Sequence, residues 1–385
     1  MVPSDHAVPW LDVDKILADP GVRIIVCCGA GGVGKTTTAA AVALRAAERH
    51  GRRTVVLTID PARRLAQSLG LVELDNTPRQ VKGVGGGELH AMMLDMKRTF
   101  DEVVLAHTDP RRAEEIFANP FYQAMSSTFS GTQEYMAMEK LGQLRATEEW
   151  ELIVVDTPPS RSALDFLDAP ARLARFLDGR MLRLLLAPAR AGGRSMFNLV
   201  TASFGVFSRT VQRVLGTQLL TDLSGFVAAL DSMFGGFRAR AEQTYRILQD
   251  RETAFLVLAA PEQDAIREAV YFAGRLAQER MPLAGLVLNR VHRVAAPGLP
   301  VDASVAAANL LDERGGFTAT AAALRVHAAL VQQTAREHWV AAGFSAAYPR
   351  VPVATVTALA SDVHDLDGLR EIGAALAGGA SPPAR

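Results

Sequence analysis

The residues with the most chemistry to offer lie together in Cys27-Cys28-Gly29-Ala30-Gly31-Gly32-Val33-Gly34-Lys35-Thr36-Thr37. Glycines there remove the Cβ atoms that would keep backbone N–H groups from curling around an anion. Lys35 supplies a cation, and Thr36 supplies a hard oxygen donor. The spacing G-x-x-x-x-G-K-T is that of a phosphate-binding loop when a strand precedes it and a helix follows. Ile24-Ile25-Val26 reads as a buried strand, and Thr38 to Ala47 reads as a helix. The helix start adds its partial positive charge to the loop. Gly29, Ala30, Gly31, Gly32, Val33, Gly34, Lys35, Thr36 and Thr37 are therefore expected to cradle nucleotide phosphates. Lys35 would reach the β- and γ-phosphates, and Thr36 would ligate Mg²⁺.

Two further stretches supply acids. Val55 to Ile59 is an apolar strand ending at Asp60-Pro61-Ala62, and Leu152 to Val155 is another ending at Asp156-Thr157-Pro158-Pro159. An acid at the tip of a buried parallel strand stands at the carboxyl edge of the sheet, where ligands bind. Asp156 is expected to hold the metal directly or through water. Asp60 is expected to orient the attacking water and to stand near the metal. Such acids also cap helices, so each gains its meaning from the glycine loop.

With these motifs the chain resembles the ArsA-like ATPases, the family of the arsenite-pump ATPase and of the guided-entry ATPase for tail-anchored membrane proteins. The matching segments are Gly29–Thr37, Asp60–Ala62 and Asp156–Pro159. Gly131-Thr132-Gln133-Glu134, Ala260-Pro261-Glu262-Gln263 and Val287-Leu288-Asn289-Arg290 match as well. The resemblance runs from about residue 22 to the C-terminal helix. It implies ATP and Mg²⁺ as cofactors, adenine contact by Asn289 with Arg290 beside it, and switch segments after Asp60 and Asp156. It also implies a homodimer, or a heterodimer with an ArsA-like paralogue, whose closure is coupled to ATP state. A side-chain amide donates to and accepts from the adenine edge. The stretch Asn289-Arg290-Val291-His292 lacks the guanine-reading Asn-Lys-x-Asp, which favours ATP.

One departure stands out. The family's signature lysine, second in the loop, is Ala30 here. The site is then completed by a lysine-bearing partner or by an arginine such as Arg63, Arg64 or Arg161. Otherwise the chain binds ATP and turns it over slowly. An arginine facing transition-state charge contributes several powers of ten in rate.

The elements that must position these groups follow an α/β order, expected to form a doubly wound, mostly parallel sheet with a helical subdomain. Residues 22–96 are read as the first part of a nucleotide-binding core, 97–150 as a helical insertion and 151–165 as a core strand with the second switch. A helical lobe over 166–250 follows. Residues 251–292 return to the core, 293–349 form an insertion, and 350–378 supply the last strand and helix. Strands are expected at Glu88–Leu94, Ala254–Ala260, Leu283–Leu288 and Arg350–Val356, and 71–87 reads as a loop. Tyr135, Met138, Leu141 and Leu144 keep helical spacing. Pro261 is expected at the first position of the helix that follows it.

Six of the sixteen phenylalanines fall between Phe197 and Phe237, with Met196 and Met233 beside them. Such stripes are the core of a helical lobe or, by the resemblance, part of a groove for a hydrophobic protein or small-molecule client.

Bulk properties narrow the class. Over 385 residues the formal charge is zero, and no basic stripe suggests nucleic acid. Cys27 and Cys28 are adjacent on a strand and point to opposite faces, so they read as buried thiols, neither a disulfide nor a chelate. The histidines show no metal-ligand spacing. The first 20 residues carry Asp5, Asp12, Asp14, Lys15 and Asp19 and lack an apolar leader core. No run is long and apolar enough for an integral membrane segment. A cytoplasmic protein is the consistent expectation. A membrane-surface switch ATPase is a further alternative, weakened by the short uncharged tail Ala375-Leu376-Ala377-Gly378-Gly379-Ala380-Ser381.

Overall fold

A computed structural model describes residues 9–59, 64–119, 122–123, 132–158 and 239–377. They belong to two compact units: one holds 1–93, 147–164 and 247–385, and the other holds 94–146 and 165–246. The stripes between Val200 and Phe237, with the groove read into them, lie outside the described residues.

The first unit is built on an eight-stranded sheet. Its strands are β1 Ile24–Gly29, β2 Thr54–Thr58, β3 Arg79–Gln80, β4 Leu89–Met93, β5 Leu152–Asp156, β6 Thr253–Ala259, β7 Leu283–Val291 and β8 Val353–Thr357. Their order is β3-β4-β2-β5-β1-β6-β7-β8, parallel throughout except for the antiparallel β3–β4 pair. The order grows outward from β1 in both directions, as in a doubly wound sheet. β1, β2, β5 and β6 are buried along their whole length, which is why they read as continuous apolar runs without alternation. The expected α/β class is the one found.

Three local differences have simple causes. β3 lies within the stretch read as a loop; its two exposed residues carry no apolar signal and pair only at the sheet edge. β7 runs three residues past Leu288, because a register shift between Leu288 and Val291 lets polar residues continue the strand. Glu262 caps the helix Gln263–Gln278, so Pro261 precedes the cap and is not the first helical residue.

At the N-terminal side, Trp10 bridges to Val353 of β8, and a short helix, α1 Val13–Ala18, buries Val13 and Leu17. Arg52, which follows the Gly51 C-cap of the helix Lys35–His50, anchors this region. Its buried guanidinium donates to the carbonyls of Leu17, Asp19, Val22 and Glu151.

The stretch read as an insertion at 293–349 contains the helices Val301–Arg314 and Thr318–Ala347, which pack on each other. The longer one also packs on Gln263–Gln278. Helix Leu366–Ala377 closes the unit against the helix Lys35–His50. Among the described residues no helix is long and apolar enough to cross a membrane.

The described elements of the second unit are all helices: Met96–His107, Pro110–Ala118, Thr132–Ala146 and a helical stretch at 239–246 that continues to 249. Tyr135, Met138, Leu141 and Leu144 are buried, as their spacing predicts. Glu139, also buried, accepts from Arg240 Nε at 2.9 Å.

Candidate nucleotide site

The loop after β1 leads directly into the helix Lys35–His50, here α2. Gly32 and Gly34 take φ of +75° and +92°, a region in which a Cβ is strained. Gly34 is the N-cap of α2 and no side chain caps that end, so the first-turn N–H groups face the loop. Gly29 answers a different demand. A Cβ there would stand 2.1 Å from the Leu258 carbonyl oxygen of β6, so the close approach of β1 and β6 requires glycine.

Strand register assembles the acid end of the site. Cys27 of β1, Asp156 of β5 and Thr58 of β2 are in-register neighbours across three parallel strands. In-register neighbours share a face of the sheet. The Thr58 hydroxyl therefore reaches Asp156 Oδ2 at 2.9 Å, and the Thr36 hydroxyl from the first turn of α2 donates to the same oxygen at 2.7 Å. Asp156 is fully buried. Thr36 and Asp156 are hard oxygen donors of the kind Mg²⁺ takes, already in contact, so this donor set fits the ion. Thr58 is the residue that sequence reasoning missed. Its place two residues before Asp60 at a strand tip is the signal that was there to be read.

Lys35 is buried, and its ammonium donates to the Ala30 carbonyl at 2.8 Å. The loop lysine thus folds back over its own loop. The segment after β5 begins firmly: Thr157 donates to the Cys27 carbonyl from both N, at 3.2 Å, and Oγ1, at 2.9 Å. Ile59 N donates to the Asp156 carbonyl at 3.0 Å, which sets where the chain leaves β2 toward Asp60. Asp60, Arg63 and Arg161 lie outside the described residues. Arg64 opens a short helix, Arg64–Ser68.

Asn289 comes to the loop from 256 residues away. Its Nδ2 donates to the Val33 carbonyl at 2.8 Å, and its Oδ1 accepts from Arg290 N at 2.9 Å. A Cβ on Gly34 would lie 2.3 Å from that Nδ2, so this glycine also makes room for the amide. Arg290 is exposed and holds φ of +62°, the backbone signature of the irregularity in β7.

The thiols of Cys27 and Cys28 are free and buried. Burial pushes Cys28 up to about 12. Burial, with the Asp156 charge beside it, holds Cys27 well above the ordinary thiol range. Both are poor nucleophiles and metal ligands in this state.

Residues 22–295 match the model of a family described as anion-transporting ATPase. The chain is similar to "ATPase GET3" of Malassezia globosa, 28% identical over 166 residues, covering 43% of this chain and 47% of that protein. It is also similar to "Putative arsenical pump-driving ATPase" of Prosthecochloris vibrioformis, 30% identical over 157 residues, 40% of this chain and 37% of that protein. The match to "ATPase ASNA1 homolog 1" of Paramecium tetraurelia is longer, 24% identical over 281 residues, 72% of this chain and 77% of that protein. The first two matches thus span less than half of each relative.

Proposed function

The chain belongs to the anion-transporting ATPase family, and on that premise we propose that it binds ATP with Mg²⁺ and hydrolyses the terminal phosphoanhydride. The observation that supports this most is the contact of Thr36 with Asp156, 120 residues apart, at the foot of the glycine loop. Bound Mg²⁺ would offset the charge of the β- and γ-phosphates. The chain's residues do the rest. Backbone N–H groups of Gly29 to Thr37 hold phosphate oxygens, and Lys35 exchanges the Ala30 carbonyl for one of them. Thr36 and Asp156 hold the ion, with Thr58 fixing the carboxylate. Asp60 orients the water for in-line attack. Asn289, with one amide hydrogen on Val33, turns the other toward adenine, and Arg290 lies beside it. Thr157 carries the γ-phosphate signal into the second switch. By family analogy, ATP state is coupled to dimer closure and to a hydrophobic client or partner lobe in the cytoplasm.

The test is steady-state phosphate release by the purified chain with Mg²⁺ and ATP, alongside Lys35→Ala and Asp60→Asn. Turnover that both substitutions abolish supports the reading. ATP binding by calorimetry without turnover would sink hydrolysis by the chain alone, and absence of binding would sink the assignment of the site.

Ala30 favours a second reading: a slowly hydrolysing ATP-binding subunit completed by a lysine-bearing paralogue. Native mass spectrometry of complexes isolated from the source cells separates the two, since mixed subunit masses are required by the second.

A further inference from the structure

The end of β7 is a strained place held from two sides. Between Leu288 and Val291 the register with β8 shifts, and Arg290 sits in the left-handed region at φ +62°. A non-glycine residue keeps such a conformation only where its surroundings over-determine it. On one side the anchor is Asn289 on the Val33 carbonyl. On the other it is Glu337, in the long helix Thr318–Ala347, beyond the stretch that matches the family.

Glu337 is 3% exposed, an unusual position for a carboxylate. Three donors converge on it. Its Oε2 accepts from the backbone N of His292 at 2.9 Å, Oε1 faces His292 Nδ1 at 2.6 Å, and Oε1 accepts from Gln333 Nε2 at 2.9 Å. Gln333 is steadied in turn, its Oε1 accepting from Arg336 at 3.1 Å. A buried carboxylate needs such partners because its desolvation is costly. It spends two of its contacts on the residue directly after Val291, where the irregular turn of β7 rejoins β8.

We propose that Glu337 is a positioning residue for the nucleotide base. It pins His292 and so holds the Asn289–Arg290 turn, which sets the angle at which the Asn289 amide meets adenine. The helical pair at 301–347 is thereby linked to base recognition. This rests on the reading of Asn289 as the adenine contact. A carboxylate that only fastened a helix to the domain would influence stability and leave base preference alone.

The experiment is equilibrium binding of ATP, GTP and inorganic pyrophosphate, each with Mg²⁺, to the full chain and to Glu337→Ala, Glu337→Gln and Asn289→Ala. Thermal melting of each variant is recorded alongside. Glu337→Ala is expected to weaken ATP about 3- to 10-fold, within the range of one coupling contact, and to shrink the ATP-over-GTP preference by the same factor. Pyrophosphate binding should not change, because the glycine loop is untouched. Glu337→Gln retains an acceptor for His292 N and should restore most of the preference. An unchanged preference in Glu337→Ala, with preference lost in Asn289→Ala, overturns the inference. Unchanged preference in Asn289→Ala removes the base assignment itself, and the inference with it. Failure of the unaltered chain to bind either ATP or pyrophosphate would instead remove the nucleotide site as a whole, and the inference with it.

Should Glu337→Ala not fold, amide hydrogen exchange on the unaltered chain decides. A non-hydrolysable ATP analogue should slow exchange at 330–338 together with the 29–37 loop. Slowing confined to the loop overturns the proposal.

Discussion

Substituting alanine at Gly34 and, in parallel, at Gly32 separates two costs that a phosphate loop usually confounds. Both glycines have positive φ, +92° and +75°, and forcing a side chain there costs about 1–2 kcal/mol. At Gly32 a Cβ meets nothing within 4 Å, so Gly32→Ala reports the backbone cost alone. At Gly34 the Cβ falls 2.3 Å from Asn289 Nδ2, the far end of a side chain that can swing away. Swinging forfeits the 2.8 Å bond to Val33 and leaves a mostly buried amide unsatisfied, a further ~1–2 kcal/mol. Gly34→Ala should therefore destabilise by ~1–2 kcal/mol more than Gly32→Ala. Asn289→Ala removes the obstruction, so Gly34→Ala with Asn289→Ala should cost about 1 kcal/mol less than the sum of the two single changes. Urea unfolding followed by tryptophan fluorescence reads this directly, because Trp10, Trp150 and Trp339 all belong to the unit that holds the loop. Equal midpoints for the two alanine variants, or strict additivity in the double variant, would refute the account of Gly34.

Other outcomes follow from the same geometry. Gly29→Ala pushes a Cβ against the Leu258 backbone carbonyl, which cannot swing aside. It should cost more than either loop substitution and yield little soluble protein, as expression at lowered temperature would show. Thr58→Val removes the 2.9 Å bond to Asp156 while keeping shape and strand propensity; ATP turnover should fall with stability lowered by only about 1 kcal/mol. The bidentate Arg45 contact holds Asp14 down at about 2 from 3.8. A lowered folded-state value stabilises above 3.8 and is lost as pH falls through 2. Asp14→Asn should thus cost about 1 kcal/mol near neutrality, after discounting for a side chain 34% exposed, and nothing near pH 2, as denaturant midpoints across that window will test. Cys27 and Cys28 should remain unmodified by a thiol reagent until the protein unfolds, since burial keeps both protonated.

The glycine loop, the strand before it, the helix after it and the acid at the tip of β5 were legible in the chain. Each is a local pattern: glycines where φ must be positive, an apolar run where a strand is buried on both faces, an acid where that run ends. The helical spacing of Tyr135 to Leu144 and the closing helix Leu366–Ala377 were legible for the same reason. Sequence could name Asn289 only through a family motif. That its amide meets Val33, and that Gly34 must be glycine to admit it, depends on β6 pairing with β1 and β7 with β6, which brings together residues 256 apart in the chain. Thr58 joins Asp156 only because parallel register sets β2 against β5. Arg52 and Glu337, two charged residues that composition would assign to the surface, are buried by carbonyls and donors drawn from distant segments. Local residue preferences choose the elements, since backbone sterics and hydrophobic periodicity act over a few residues. Which polar groups converge is decided by tertiary packing, because only the assembled sheet brings donors and acceptors from remote segments within three ångströms.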